Sequence, residues 1–172
     1  MDHISKNADQ YKLDLSHLYM AGDSAGAQLV SQYAIYATNS EYRKLFVELN
    51  GLDAPVPAKV ALNCGVYELS DNDECVKWYL PEKMPEDIQK SADNILNYMN
   101  EKFPATFLMV SVNDGLCSCS NIMKSKLEEL DIPHIFKEYG HSDLLAGHVF
   151  HINIISDEAK QCNRDEIEFF NK

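Results

Sequence analysis

The stretch Leu18 to Ala34, LYMAGDSAGAQLVSQYA, decides how the rest of the chain is read. It opens with a short, bulky, β-prone run that glycine ends. From Ala25 onward its apolar residues recur at spacings of three and four, one face of a helix. Between the two lies Gly22-Asp23-Ser24-Ala25-Gly26, which fits Gly-x-Ser-x-Gly. Five such letters arise by chance in many chains, so their place between a predicted strand and a predicted helix carries the weight. A serine on so tight a turn sits in strained backbone with its hydroxyl presented outward, and small neighbours leave room for it. Gly22 and Gly26 are those neighbours. The amide of Ala25 is a candidate oxyanion donor, and the helix N-terminus adds its positive dipole there.

Working outward, short apolar runs alternate with helical patterns. After HLYMAG come AKVALNCGVYEL (58–69), ATFLMVSVND (105–114) and IPHIFKEYG (132–140). Runs this continuous predict strands buried on both faces, as in a parallel sheet. Helices are predicted over 25–38 (apolar Ala25, Leu29, Val30, Tyr33, Ala34, Ala37), over 120–131 (Ile122, Met123, Leu127, Leu130, with Ser120 as N-cap) and over 156–172 (Ala159, Cys162, Ile167, Phe170, with a capping Ser156). Strands alternating with helices imply βαβ crossovers and an α/β class, a mostly parallel sheet of about four strands with helices on both faces. One domain covers 1–172. An excursion at about 70–104 breaks the rhythm with Asp71, Asp73, Glu74, the pair Trp78 and Tyr79, three prolines and a helical EDIQKSADNILNYMNEKF; it either lines a pocket or packs as a surface insertion.

Composition excludes several classes. The net charge is −12, from 15 basic and 27 acidic residues, which argues against nucleic acid and anionic membrane surfaces. No apolar run is long enough to span a bilayer. The polar N-terminus, MDHISKNADQYKLDL, has no secretory apolar core. With an odd five cysteines, reduced thiols in a cytoplasmic protein are expected. Cys117 and Cys119 form a C-x-C pair with His141 and His148 downstream, but no second matching pair exists, so no metal is expected.

A serine needs a base within hydrogen-bond reach, and the base an orienting acid. Open α/β sheets place such groups beyond the carboxyl ends of their strands. Asp114 closes the third apolar run. The segment YGHSDLLAGHVFHIN follows the fourth and offers His141, His148 and His151. On residue type alone, His141 rivals His148 as base, while His151, Asp143, Asp53 and Asp71 read as surface polar residues.

Taken in order, GDSAG, SVNDGL and GHVFHIN resemble the hormone-sensitive-lipase-like branch of the α/β-hydrolases, esterases and lipases with Asp in the second motif position. In that family a phenylalanine follows the catalytic histidine closely, and Phe150 stands so behind His148. The acid matches Asp114, with Gly115 where proline is often found. The resemblance runs from about Asp14 to the C-terminus. It implies a carboxylic ester hydrolase with Ser24 as nucleophile, His148 as base and Asp114 as orienting acid, an acyl-enzyme intermediate, a small-molecule ester substrate and no cofactor. The family also carries a His-Gly-Gly-Gly-like strip upstream of the serine, and residues 1–23 contain none. The chain then corresponds to the C-terminal half to two-thirds of such a fold. Ester turnover is expected to be impaired, and HLYMAG to be left as a sheet edge through which copies could associate. A non-catalytic remnant and, less favoured by the Asp in the motif, a serine peptidase of the same fold are the alternatives.

Overall fold

The structure, a computed structural model, describes residues 1–68, 94–142 and 144–172. The expectations for Asp71, Asp73, Glu74, Trp78, Tyr79 and Asp143 lie outside these residues.

Two short helices, α1 (Asp2–Lys6) and α2 (Ala8–Tyr11), precede the first strand. Strand β1 (Tyr19–Asp23) runs into helix α3 (Ala25–Thr38), which is followed by α4 (Ser40–Arg43). Strand β2 (Lys59–Asn63), strand β3 (Ala105–Ser111), helix α5 (Cys117–Glu129), strand β4 (His134–Tyr139) and helix α6 (Asp157–Asn171) complete the order. The four strands form one sheet in the order β1-β2-β3-β4. Every pair is parallel, with Gly22 beside Leu62, Leu62 beside Leu108 and Leu108 beside Phe136.

The sheet is covered on both faces because side chains alternate along each strand. Val60, Leu62 and Leu108 pack with Ala27, Val30, Ala34 and Ile35 of α3 and with Cys119, Met123 and Leu127 of α5. Ala61, Phe107 and Met109 pack the other way, against Ala159, Cys162 and Phe169 of α6 and against Phe150. The central strands β2 and β3 are buried almost throughout, as their unbroken apolar runs predict. The outer strands are not. β1 alternates exposed and half-buried residues, and β4 is exposed at Lys137 and Glu138.

Each long helix buries a face somewhat different from the expected one. In α3 the inward stripe is Ala27, Gln28, Val30, Ser31, Ala34 and Ile35, whereas Leu29 is 64% exposed. Ser31 fits there because its Oγ donates to the Gln28 carbonyl within the helix (2.8 Å). In α6, Phe169 is buried and Ile167 faces outward. Helix α5 starts earlier than expected. Ser120 is inside it rather than at its cap, with a buried hydroxyl that has no hydrogen-bond partner among the described residues, and Ile122 is exposed. Ser156 does cap α6, its side chain accepting from the Ala159 amide. Of the helix expected across 86–103, the described portion is a 3-10 turn at Ile95–Tyr98. Asn94 and Asn100 accept hydrogen bonds from amides two residues ahead, and these local bonds compete with the helical ladder. Pro104 then restricts Phe103.

The junction of β1 and α3 is the tightest crossing near the site. A Cβ on Gly22 would lie 2.3 Å from the Gly26 carbonyl oxygen and 2.8 Å from the Ala27 amide nitrogen, all backbone atoms that cannot yield. A Cβ on Gly26 would meet nothing within 4 Å. The two motif glycines are therefore not equivalent: Gly22 must lack a side chain because Gly26 passes so close. In urea unfolding, Gly22→Ala is expected to destabilise by at least about 1–3 kcal/mol, the usual cost of overpacking. Gly26→Ala is expected to leave stability unchanged or raise it by up to about 1 kcal/mol, the helical preference for alanine.

Candidate active site

Ser24 follows the last residue of β1 and has φ 52° and ψ −116°, a conformation that L-residues rarely adopt. It is held there because its amide donates to the Asn63 carbonyl at the end of β2 (2.8 Å), extending the parallel ladder by one rung. Its own carbonyl meanwhile accepts from Ala27 and Gln28 and so begins α3. The chain must reverse within one residue, and the strain falls on that residue. Ala25 is the first residue of α3 and is exposed. Like any first-turn amide, its N–H has no partner within the helix.

Asp114 lies in the turn after β3, with a side chain only 2% exposed. The turn is pinned from several directions. The Asp114 amide donates to the Ser111 carbonyl (3.0 Å) and the Leu116 amide donates to Asp114 Oδ1 (2.9 Å). Asn113 Nδ2 donates to the Gly140 carbonyl (2.8 Å), and Ser111 Oγ donates to the Ala146 carbonyl. Gly140 has φ +87°, and a Cβ there would lie 2.4 Å from Ser111 Oγ, so the loop after β4 can press directly onto the end of β3.

That loop brings His148 over the sheet. His148 Nδ1 is 2.8 Å from Asp114 Oδ2, and His148 Nε2 is 2.9 Å from Ser24 Oγ. A carboxylate only accepts, so Nδ1 carries the proton of the neutral ring and Nε2 presents its lone pair to the Ser24 hydroxyl. A hydroxyl whose proton an imidazole can take, with the imidazole oriented by a buried carboxylate, can act as a nucleophile near neutral pH. Val149 supports the geometry at φ 50°, left-handed and unusual for a β-branched residue.

The structure thus brings Ser24, Asp114 and His148 together, with Gly22, Ala25 and Gly26 around the turn. It does not bring His141 to Ser24; that residue is exposed in the turn beyond β4. Asp53 is exposed, its amide donating to Asp2 (2.8 Å). His151 departs from its expected surface position. It is buried, with Nε2 3.0 Å from Asp23 Oδ1. Sequence reasoning also passed over Asn63, Cys64 and Ser111, which stand at strand ends. The available signal was positional, since ligand-facing groups in parallel sheets cluster there.

Among the described residues, the grouping that could hold a metal ion is Cys64, Asp114 and His148, with ligand atoms all within 4.8 Å of one another. Cys117 and Cys119 take no part in it. Burial, above all, pushes the Cys64 thiol up to about 12, so it stays protonated beside Asp114. A cleft of about 330 Å³ lined by apolar side chains such as Leu29, Tyr33, Phe46 and Leu52 lies elsewhere and includes none of the three site residues. No helix among the described residues is long and apolar enough to cross a membrane.

Behind the site, Glu166 of α6 accepts from Asn63 Nδ2 (2.8 Å). Burial raises its carboxyl above the usual value of 4.5, opposed by that hydrogen bond and by His151. A raised carboxyl pKa adds stability below the unfolded value that is lost as pH climbs through the folded one. Glu166→Gln keeps an acceptor for Asn63 and removes the charge. Its Tm is therefore expected to exceed the parent's at neutral pH, with the difference shrinking as pH falls towards 4.5.

Comparison with known proteins agrees with this architecture. The family model for the alpha/beta hydrolase fold matches residues 1–151. No curated protein matches. Among solved structures, esterase B from Lactobacillus rhamnosis inhibited by a tributyrin phosphonate superposes with a TM-score of 0.74 at 22% identity, covering 98% of this chain and 56% of that one. The carboxylesterase Cest-2923 from Lactobacillus plantarum gives 0.71 at 16% identity, over 92% of this chain and 57% of its own. An acetyl ester-xyloside bifunctional hydrolase from Caldicellulosiruptor lactoaceticus gives 0.70 at 18% identity, over 98% and 63%. The chain thus spans little more than half the length of the first two. With a matching family model over most of its length and four parallel strands between helical layers, the chain belongs to the alpha/beta hydrolase fold family, in its hormone-sensitive-lipase-like branch.

Proposed function

We propose that the chain is a serine carboxylic ester hydrolase acting through an acyl-enzyme on Ser24. The continuous path Ser24 Oγ, His148 Nε2, His148 Nδ1, Asp114 Oδ2, with contacts of 2.9 and 2.8 Å, carries this reading. As Ser24 Oγ attacks the ester carbonyl carbon, His148 Nε2 takes the hydroxyl proton and Asp114 steadies the imidazolium. The carbonyl oxygen becomes an oxyanion beside the Ala25 amide and the α3 N-terminus. Collapse expels the alcohol, which leaves with the proton from His148. Water, deprotonated in turn by His148, then releases the acid and restores Ser24. The esterases of like fold support a small-molecule ester as substrate.

Residues 1–23 hold no His-Gly-Gly-Gly-like strip, and the Ala25 amide is the candidate oxyanion donor beside Ser24. Loss of a single such donor typically costs about 10²–10³ in turnover, so hydrolysis of p-nitrophenyl esters by the isolated chain is expected to be weak. Phosphonylation is the sharper test. A p-nitrophenyl alkylphosphonate is expected to add once, at Ser24 by peptide mass spectrometry, and not to Ser24→Ala. Asp114→Asn, which would favour the wrong tautomer, is expected to slow the reaction by about 10⁴-fold. Absence of any Ser24 adduct would overturn the reading in favour of a non-catalytic fold. Cleavage of peptides in preference to esters would favour a peptidase.

We also infer self-association through β1. Among the described strands it pairs with β2 alone, which leaves its other backbone edge open to a second chain. Sedimentation is expected to show a concentration-dependent species larger than 19.5 kDa at micromolar concentration. A monomer with β1 amides slow to exchange would refute this.

A further inference from the structure

The loop that carries His148 rests on a narrow apolar footing, Ala146 and Phe150 with part of Val149, in the core beside α6. Leu144, Leu145, Ile152, Ile154 and Ile155 are all at least 65% exposed, and among its described residues Ala146, Phe150 and His151 are buried. Apolar burial helps to fix a loop, and polar mounts hold this one as well, on either side of the 2.9 Å contact between His148 and Ser24. One of these is on the β3 side, where Ser111 Oγ donates to the Ala146 carbonyl.

Another mount is His151. Its side chain is 7% exposed, against 47% for Asp23. The Asp23 carboxylate only accepts, so His151 Nε2 donates the proton in their 3.0 Å contact. Its second nitrogen, Nδ1, is buried without a hydrogen-bond partner among the described residues. An imidazole held with one nitrogen unsatisfied is costly where an aliphatic side chain would not be, and the bond to Asp23 offsets that cost. The backbone is tied down as well, since Asn163 Nδ2 donates to the His151 carbonyl (3.0 Å).

These contacts close a circuit around the nucleophile. Ser24 is bonded to the Asn63 carbonyl, and the Asn63 side chain to Glu166. Asn163, on the same helix as Glu166, holds the His151 carbonyl, and the His151 ring is bonded to Asp23, the residue immediately before Ser24. The circuit therefore ties the turn that bears the nucleophile to the loop that bears its partner. Asp114 and Ser111 do not belong to it.

We propose that His151 is a positioning residue for His148, fastening the histidine loop to the nucleophile turn through Asp23. This rests on the reading of Ser24, His148 and Asp114 given above, but part of its test does not. The His148 Nδ1–H proton bound to Asp114 should give a downfield NMR resonance in the full chain, identified by its loss in His148→Gln. The resonance is expected to vanish in His151→Ala and in Asp23→Ala. In His151→Gln, which keeps an N–H donor for Asp23, it is expected to remain.

Phosphonylation of Ser24 is expected to slow by up to about 10²-fold in each alanine variant, the scale of a misplacement near 1 Å. The double variant should be no slower than the worse single one, because both remove the same bond. Asp23 is half exposed, so Asp23→Ala decides the matter if His151→Ala does not fold. An undiminished resonance in Asp23→Ala overturns the proposal, as does a wild-type chain with no such resonance. A wild-type chain that shows the resonance while Ser24 resists the phosphonate defeats the esterase reading alone, and the resonances of the variants still decide the role of His151.

Discussion

The close passage of Gly22 under Gly26 is the constraint from which the site follows. It lets β1 turn into α3 within one residue. That residue, Ser24, takes up a left-handed φ and projects its hydroxyl beyond the end of the sheet. The Asn63 carbonyl fixes where this happens relative to β2. A side chain at position 22 would push the helix away and lengthen the turn. The hydroxyl would then be aimed elsewhere, whatever happened to His148 and Asp114.

The other groups reach the same place because the sheet is parallel. Every strand ends on the same side, so Ser24, Asn63, Ser111 and Gly140 all stand at one rim. The loops beyond them need only short reaches. Local strain collects at this rim: Ser24, Cys64 and Val149 each have φ near 50°. Such conformations cost about 1–3 kcal/mol apiece and persist only where surrounding contacts over-determine them. The buried bonds from Ser111, Asn113 and Asn63 are of that kind.

Much of this was legible in the sequence. Four apolar runs marked four strands, and the glycine-flanked serine marked the turn. The order of serine, acid and histidine, with the phenylalanine that a known family places behind its histidine, pointed to Ser24, Asp114 and His148, whose side chains do lie together. Periodicity alone misjudged the helix faces, because apolar spacing cannot tell which of two adjacent stripes meets the sheet. Leu29 and Ile167 look like core residues and face outward, while Gln28 and Ser31 look like surface residues and face inward. His151 was illegible for a different reason. A histidine earns a buried place only through a partner, and its partner, Asp23, is 128 positions away.

That remoteness governs how the site comes into being. Its decisive contacts join residues 34 and 124 positions apart, and the sheet needs all four strands before the histidine loop has anything to rest on. Contacts so distant in sequence form late, since the chain between them must be ordered first. The same geometry bears on how the site comes apart. Release of α6, a C-terminal helix, would withdraw Asn163 and Glu166, loosen the histidine loop and uncover the sheet face that Ala159, Cys162 and Phe169 cover. One helix thus carries both the grip on the histidine loop and the cover of a sheet face, so whatever lifts α6 disturbs the two together.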